Sequence, residues 1–230
     1  MANLELRNKA IGLRKEGMSY SQIKDKIGVS KSTLSDWLKD MPLSNERINE
    51  LRGWSEQRIE RCRNTKRLKH EARLNNVYNS AADLIGELSD REIYMGGLFL
   101  YWAEGTKASP GKVEIANTDP KMLLFFIRWF EQQRIDTSRI RVKLHLYTDM
   151  DIEEETSFWE ETLELPRAQF RKPYLKETFY SKRKNYKGRF GHGTCVLSLT
   201  DVTLYEKVMM GIRYLGDSYL ESGFPNKPAV

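Results

Sequence analysis

The chain has 230 residues, with 38 Lys and Arg against 32 Asp and Glu for a net charge of +6, and 40% of its residues are hydrophobic. That length fits one large domain or two small ones, and the apolar fraction suffices for a buried core, so wholesale disorder is not expected. No apolar run approaches the ~18 residues that a membrane helix needs, and the polar start Met-Ala-Asn-Leu-Glu-Leu-Arg carries no signal core, so neither membrane insertion nor secretion is expected. Cys62, Cys195, His70, His145 and His192 are scattered, without zinc spacing or a disulfide framework, which suits a reducing cytoplasm.

Residues 1–43 read as three short helices. Leu4, Ala10, Ile11 and Leu13 recur at helical spacing, and Gly17 supplies a stop. Ser19 and Gln22 form a capping box for the second helix, whose Ile23 and Ile27 face inward. Gly28 suits a left-handed turn, Val29 is expected to be buried in it, and Ser30 caps a third helix with Leu34, Trp37 and Leu38. Pro42 closes the unit. The run from Gly17 to Leu38 resembles the helix-turn-helix of resolvases, transposases and bacterial repressors. That resemblance implies a third helix lying in the major groove. Carried onto this chain, Ser30, Lys31, Ser32, Thr33 and Ser35 would meet bases and phosphates, with Lys39 toward a phosphate. A bundle serving only as a protein contact is the alternative.

Residues 44–90 read as a basic helical linker. Arg47, Arg52, Arg58, Arg61, Arg63, Lys66, Arg67, Lys69 and Arg73 outnumber Glu50, Glu56, Glu60 and Glu71. This run is either a solvated helix face or a track for phosphates. Leu74, Val77, Tyr78, Ala81, Leu84, Ile85 and Leu88 follow at spacings of three and four, and should pack on something.

Residues 91–216 alternate helix and strand, and 217–230 form a Gly- and Pro-containing tail. A helix over Ile93–Ala103 precedes a strand over Lys112–Ala116. Thr118 or Asp119 then caps a helix with Pro120 at its first position. A strand over Arg141–Tyr147, a helix over Ile152–Leu165, strands near Phe170–Tyr174 and over Cys195–Leu199, and a helix over Val202–Leu215 capped by Asp201 complete the order. The fold class is α+β, with helices on one face of a mainly antiparallel sheet. Asp149, Asp151, Glu153, Glu154 and Glu155 fall at a helix start, where they complement the macrodipole rather than a metal.

The run Gly97-Leu98-Phe99-Leu100-Tyr101-Trp102-Ala103-Glu104-Gly105 resembles the LAGLIDADG motif of homing endonucleases. Leu100-Tyr101-Trp102-Ala103-Glu104-Gly105-Thr106-Lys107, Ala116-Asn117-Thr118-Asp119-Pro120 and Arg141 to Tyr147 also look like a bacterial group that joins a helix-turn-helix to one LAGLIDADG-like domain. The resemblance implies a homodimer through the helix at Ile93–Ala103, with two copies of Glu104 meeting near the two-fold axis. It also implies Glu104 as a metal ligand, with Mg²⁺ as cofactor if the chain is a nuclease; DNA binding alone would need none. Phe99 stands where the motif has a small residue, so Gly96, Gly97 and Ala103 are expected to supply the close helix approach. Glu104 is otherwise a relic on a DNA-binding platform.

Strand alternation puts Arg141, Lys143, His145 and Tyr147 on one face and Val142, Leu144 and Leu146 on the other. Lys143 is the candidate lysine near a scissile phosphate. The next basic stretch holds Arg171, Lys172, Lys176, Lys182, Arg183, Lys184, Lys187 and Arg189, interleaved with Tyr174, Phe179, Tyr180, Tyr186 and Phe190. Cations among aromatics suit a backbone-hugging loop. The expectation is a cytoplasmic, nucleoid-associated protein that binds double-stranded DNA and regulates transcription. A metal-dependent site-specific DNA endonuclease and an RNA-binding splicing helper are the alternatives.

Overall fold

The chain divides into two units, Met1–Gly86 and Glu87–Val230. The structure, a computed structural model, describes residues 2–177 and 191–218.

In the first unit, α1 (Ala2–Lys15), α2 (Tyr20–Ile27) and α3 (Lys31–Leu38) are joined by tight turns. Each turn is written in local chemistry. Gly17 has φ 83° and Gly28 φ 70°, left-handed values that cost a glycine little. Ser19 Oγ accepts the Gln22 N–H while Gln22 returns its amide oxygen to the Ser19 N–H, completing the expected capping box. Ser30 Oγ accepts the Thr33 N–H in the same way. Ala10, Tyr20, Ile23, Leu34 and Leu38 form the buried core, and Val29 packs on it half-buried rather than fully buried.

Residues 44–90, expected as a linker, contain α4 (Asn45–Asn49) and the 32-residue α5 (Trp54–Ile85). The first part does not act as a linker. Leu43, Ile48 and Leu51 make a small core of their own. Glu60 of α5 is buried and ion-paired to buried Arg14 of α1 at 2.9 Å. Arg14 also donates to the carbonyls of Met41 and Met18, so one guanidinium ties α1 to the turn before α2 and to the end of α3. Sparse apolar residues concealed this attachment because a polar pair carries it. Leu74, Val77, Tyr78, Leu84 and Ile85 are exposed, against the expectation that this stretch packs.

In the second unit, α6 (Asp90–Glu104), β1 (Lys112–Asn117), α7 (Pro120–Gln132), β2 (Arg141–Tyr147), α8 (Ile152–Leu163), β3 (Tyr174–Lys176), β4 (Thr194–Thr200) and α9 (Val202–Gly216) follow in order. The fold is α+β with an open, mixed four-stranded sheet in the order β1-β4-β2-β3. Both pairings of β4 are antiparallel, and β2 pairs with β3 in parallel. Asp119, Asp151 and Asp201 cap α7, α8 and α9. Asp151 accepts from the Glu153 and Glu154 N–H groups, as the capping reading of that acid cluster requires. The helix expected to reach Leu165 ends at Leu163, where Glu164 turns left-handed. The strand expected near Phe170 lies later. Phe170 makes one parallel bridge to Val142, and Pro173, which has no N–H for a ladder, separates it from β3.

Val113, Ile115, Val142, Leu144, Leu146, Cys195, Leu197 and Leu199 share one core with Leu98, Tyr101, Phe126, Trp129, Trp159, Leu204 and Val208. All four long helices of this unit therefore cover the same side of the sheet. Among the described residues no helix covers the other side. Among the described residues no helix is long and apolar enough to cross a membrane.

Candidate nucleic-acid interface

The open side of the sheet is built by alternation from the strands that form the core. Strand register arranges it in rows. Glu114 faces Ser198, which faces Arg141; Ala116 faces Val196, which faces Lys143; Thr194 faces His145, which faces Tyr174. Lys143 and His145 are exposed, and Arg141 is half-buried. The Lys143 ammonium lies 5.9 Å from the centre of the Tyr174 ring, and the His145 ring meets the same tyrosine edge-on at 5.4 Å. Burial, and then the neighbouring Lys143, hold the His145 pKa below its ordinary value. Both causes favour the neutral imidazole, and Lys143 stands in the middle of the face among Ala116, Val196 and the Tyr174 ring.

Arg171, Lys172 and Lys176 are exposed where the chain passes along β2. The Arg171 N–H donates to Val142 O at 2.8 Å, which fixes its backbone against the strand. Phe170 packs on the core, so alternation turns Arg171 toward the open side. Lys182, Arg183, Lys184, Lys187 and Arg189 lie outside the described residues.

In the first unit, Lys31 and Ser32 are exposed at the start of α3. The Ser30 hydroxyl serves as the expected cap and meets the Ser32 and Thr33 hydroxyls at 2.8 and 2.9 Å. Ser35 and Lys39 line a groove of about 500 Å³ between α3 and α5, beside Arg63, Lys66 and Arg67. Several cations of the basic run are committed inside the unit. Arg63 stacks 4.0 Å over Tyr20, Arg47 donates to Gly17 O, and Arg61 donates to Asn49.

Glu104 is exposed at the C-terminal end of α6. The glycines around it have causes within the chain. A Cβ on Gly97 would fall 2.2 Å from the Trp129 ring, and one on Gly105 2.3 Å from the Tyr101 ring. A Cβ on Gly96 would lie 2.9 Å from Phe125. Gly96 and Gly97 thus admit α7 of the same chain, and their expected use in bringing two copies of α6 together is corrected: their faces are already occupied. Ala103 and Phe99 remain exposed. Among the described residues no three His, Cys, Asp or Glu side chains are grouped to hold a metal ion. Glu104 offers a single carboxylate, so Mg²⁺ there would take its remaining ligands from water, a substrate phosphate or a carboxylate of a second copy.

Sequence reasoning passed over Lys112 and Arg139, which border the open side beside Arg141. Period-two alternation along β1 could have found Lys112. Arg139 precedes the strand, and only the fold brings it alongside. Compared with known protein families, curated proteins and solved structures, the chain finds no match.

Proposed function

We propose that the protein is a sequence-specific double-stranded DNA-binding protein, a transcriptional regulator that works as a homodimer. In this reading α1 to α3 act as a helix-turn-helix, with Lys31 and Ser32 leading α3 into the major groove. The sheet of the second unit acts as a LAGLIDADG-like platform along the duplex. The observation that carries the reading is the division of the sheet: Val113, Ile115, Val142, Leu144, Leu146, Leu197 and Leu199 pack under the helices on one side, while among the described residues the other side bears Arg141, Lys143 and Lys176 and no helix. A cationic face of this kind gains affinity by releasing the counterions condensed on DNA.

The test is selection from a randomised duplex library, followed by mobility shifts over a salt series. Enrichment of one site and steep weakening with salt are expected. Binding that ignores salt, or RNA that competes better than duplex, ends the proposal. Glu104 supports the second reading, a metal-dependent DNA endonuclease, because its carboxylate is exposed beyond the packed part of α6. Incubating the selected duplex with Mg²⁺ separates the two. Intact DNA supports the regulator; cleavage that Glu104→Gln abolishes replaces it with the nuclease.

A further inference from the structure

The charge on the open face is concentrated at one end. Lys112 of β1, Arg139 and Arg141 at the entry to β2, and Arg171 surround a depression of about 330 Å³. Its remaining lining is Ser198 and Thr200 of β4. Among the described residues no carboxylate lines it.

Two of the cations are ion-paired and a third is held by carbonyls. Arg139 donates to Thr200 O and to the Asp201 carboxylate, each at 3.0 Å. Lys112 is ion-paired to Glu114. Arg141 uses one terminal nitrogen for the carbonyls of Ser138 and Ile140, at 2.7 and 2.9 Å. Among the described residues neither Arg141 nor Arg171 has an ion pair. A guanidinium carries five N–H donors in a planar fork, so Arg141 keeps most of its donors and Arg171 its whole side chain for a ligand. Arg141 and Arg171, the two cations of the depression with no ion pair among the described residues, repel each other, and a tetrahedral oxyanion between them relieves that repulsion while satisfying the forks two bonds at a time.

We infer that this depression is a phosphate site: Arg141 and Arg171 grip one phosphodiester of a nucleic-acid backbone, while Lys112 and Arg139 set its walls and field. The inference rests on the DNA-binding reading and deepens it. It makes the grip of the sheet polar along the strands, with a phosphate anchored beside Arg141 and the Lys143–His145 rows set further along the duplex.

The experiment uses the full chain and the variants Arg141→Gln, Arg171→Gln and, as a control on the far helical layer, Lys207→Gln. Each protein is titrated with duplex DNA over a salt series and with inorganic pyrophosphate by calorimetry. Circular dichroism checks that each variant is folded. The expected result is several-fold weaker duplex binding for each arginine variant, with the slope of log K against log salt reduced by about one, and no change for Lys207→Gln. Unchanged slopes in both arginine variants, with wild-type duplex binding intact, overturn the inference but leave the DNA reading standing. Tight pyrophosphate binding that Arg171→Gln loses, together with unchanged duplex binding, reassigns the depression to a free phosphate compound and overturns the backbone claim. No duplex binding by the wild type ends the DNA reading and the backbone claim together.

Discussion

Glu60 shows how much one side chain decides. It accepts from Arg14 and Arg63, and its partner Arg14 holds two carbonyls of the neighbouring turns. Removing one member of such a pair leaves a charge buried without compensation, which costs about 3–5 kcal/mol. Glu60→Ala is therefore expected to lower the stability of the first unit by that amount in urea unfolding, and Glu60→Gln by less. A loss below about 1 kcal/mol, the range of an exposed pair, would contradict the role. His145 carries a pH signature. Its folded pKa lies below the ordinary 6.5, by burial first and Lys143 second, so the folded state binds fewer protons than the unfolded chain. Its contribution to stability is complete above that ordinary value and is lost as pH falls below it toward the folded value. Bound phosphates favour the imidazolium, so duplex affinity should rise as pH falls through this same window. His145→Gln should flatten the rise; an identical pH profile in the variant excludes His145 from the interface.

At the scale of elements, the helix starts follow from short capping motifs. The Ser19–Gln22 box, Ser30, Asp119, Asp151 and Asp201 all cap as their sequence positions suggest. Ser89 and Glu92 form another capping box at α6, with the same spacing and the same chemistry. Asp201 is doubly employed, since it accepts the Leu204 N–H and also pairs with Arg139. Both bonds favour its ionised form, the backbone bond foremost, and its pKa is lowered. Asp201→Ala should cost about 1–2 kcal/mol, read from the thermal unfolding of the chain. Asp201→Asn, which can still cap, should recover most of it. Equal losses in the two variants would show that the ion pair, not the cap, dominates.

For the whole molecule, the proposed homodimer falls on what α6 leaves exposed. Phe99 is 51% exposed and stacks on Trp102, while Gly96 and Gly97 are taken up by α7. A dimer on this face would bury the Phe99 ring in place of the small-residue contact expected from the motif. Light scattering over a concentration series should show a dimer for the wild type and a monomer for Phe99→Glu. A dimer that survives this change, and dissociates instead when Val77 and Leu84 of α5 are made acidic, would move the contact to the exposed stripe of α5.

The sequence alone determined where α2, α3, α7, α8 and α9 start, which strand residues alternate, and that an α+β unit follows three short helices. Those features are local: a cap needs residues three apart, and a strand face needs residues two apart. It determined neither the order β1-β4-β2-β3 nor the rows across it, because strand pairing joins residues separated by long stretches of chain. The tertiary structure decided that Arg14 and Glu60 meet, that Gly97 exists for Trp129, and that Lys112, Arg139, Arg141 and Arg171 share one depression. The physical reason is the same each time. Burial and charge depend on distances in space, and the sequence states only distances along the chain.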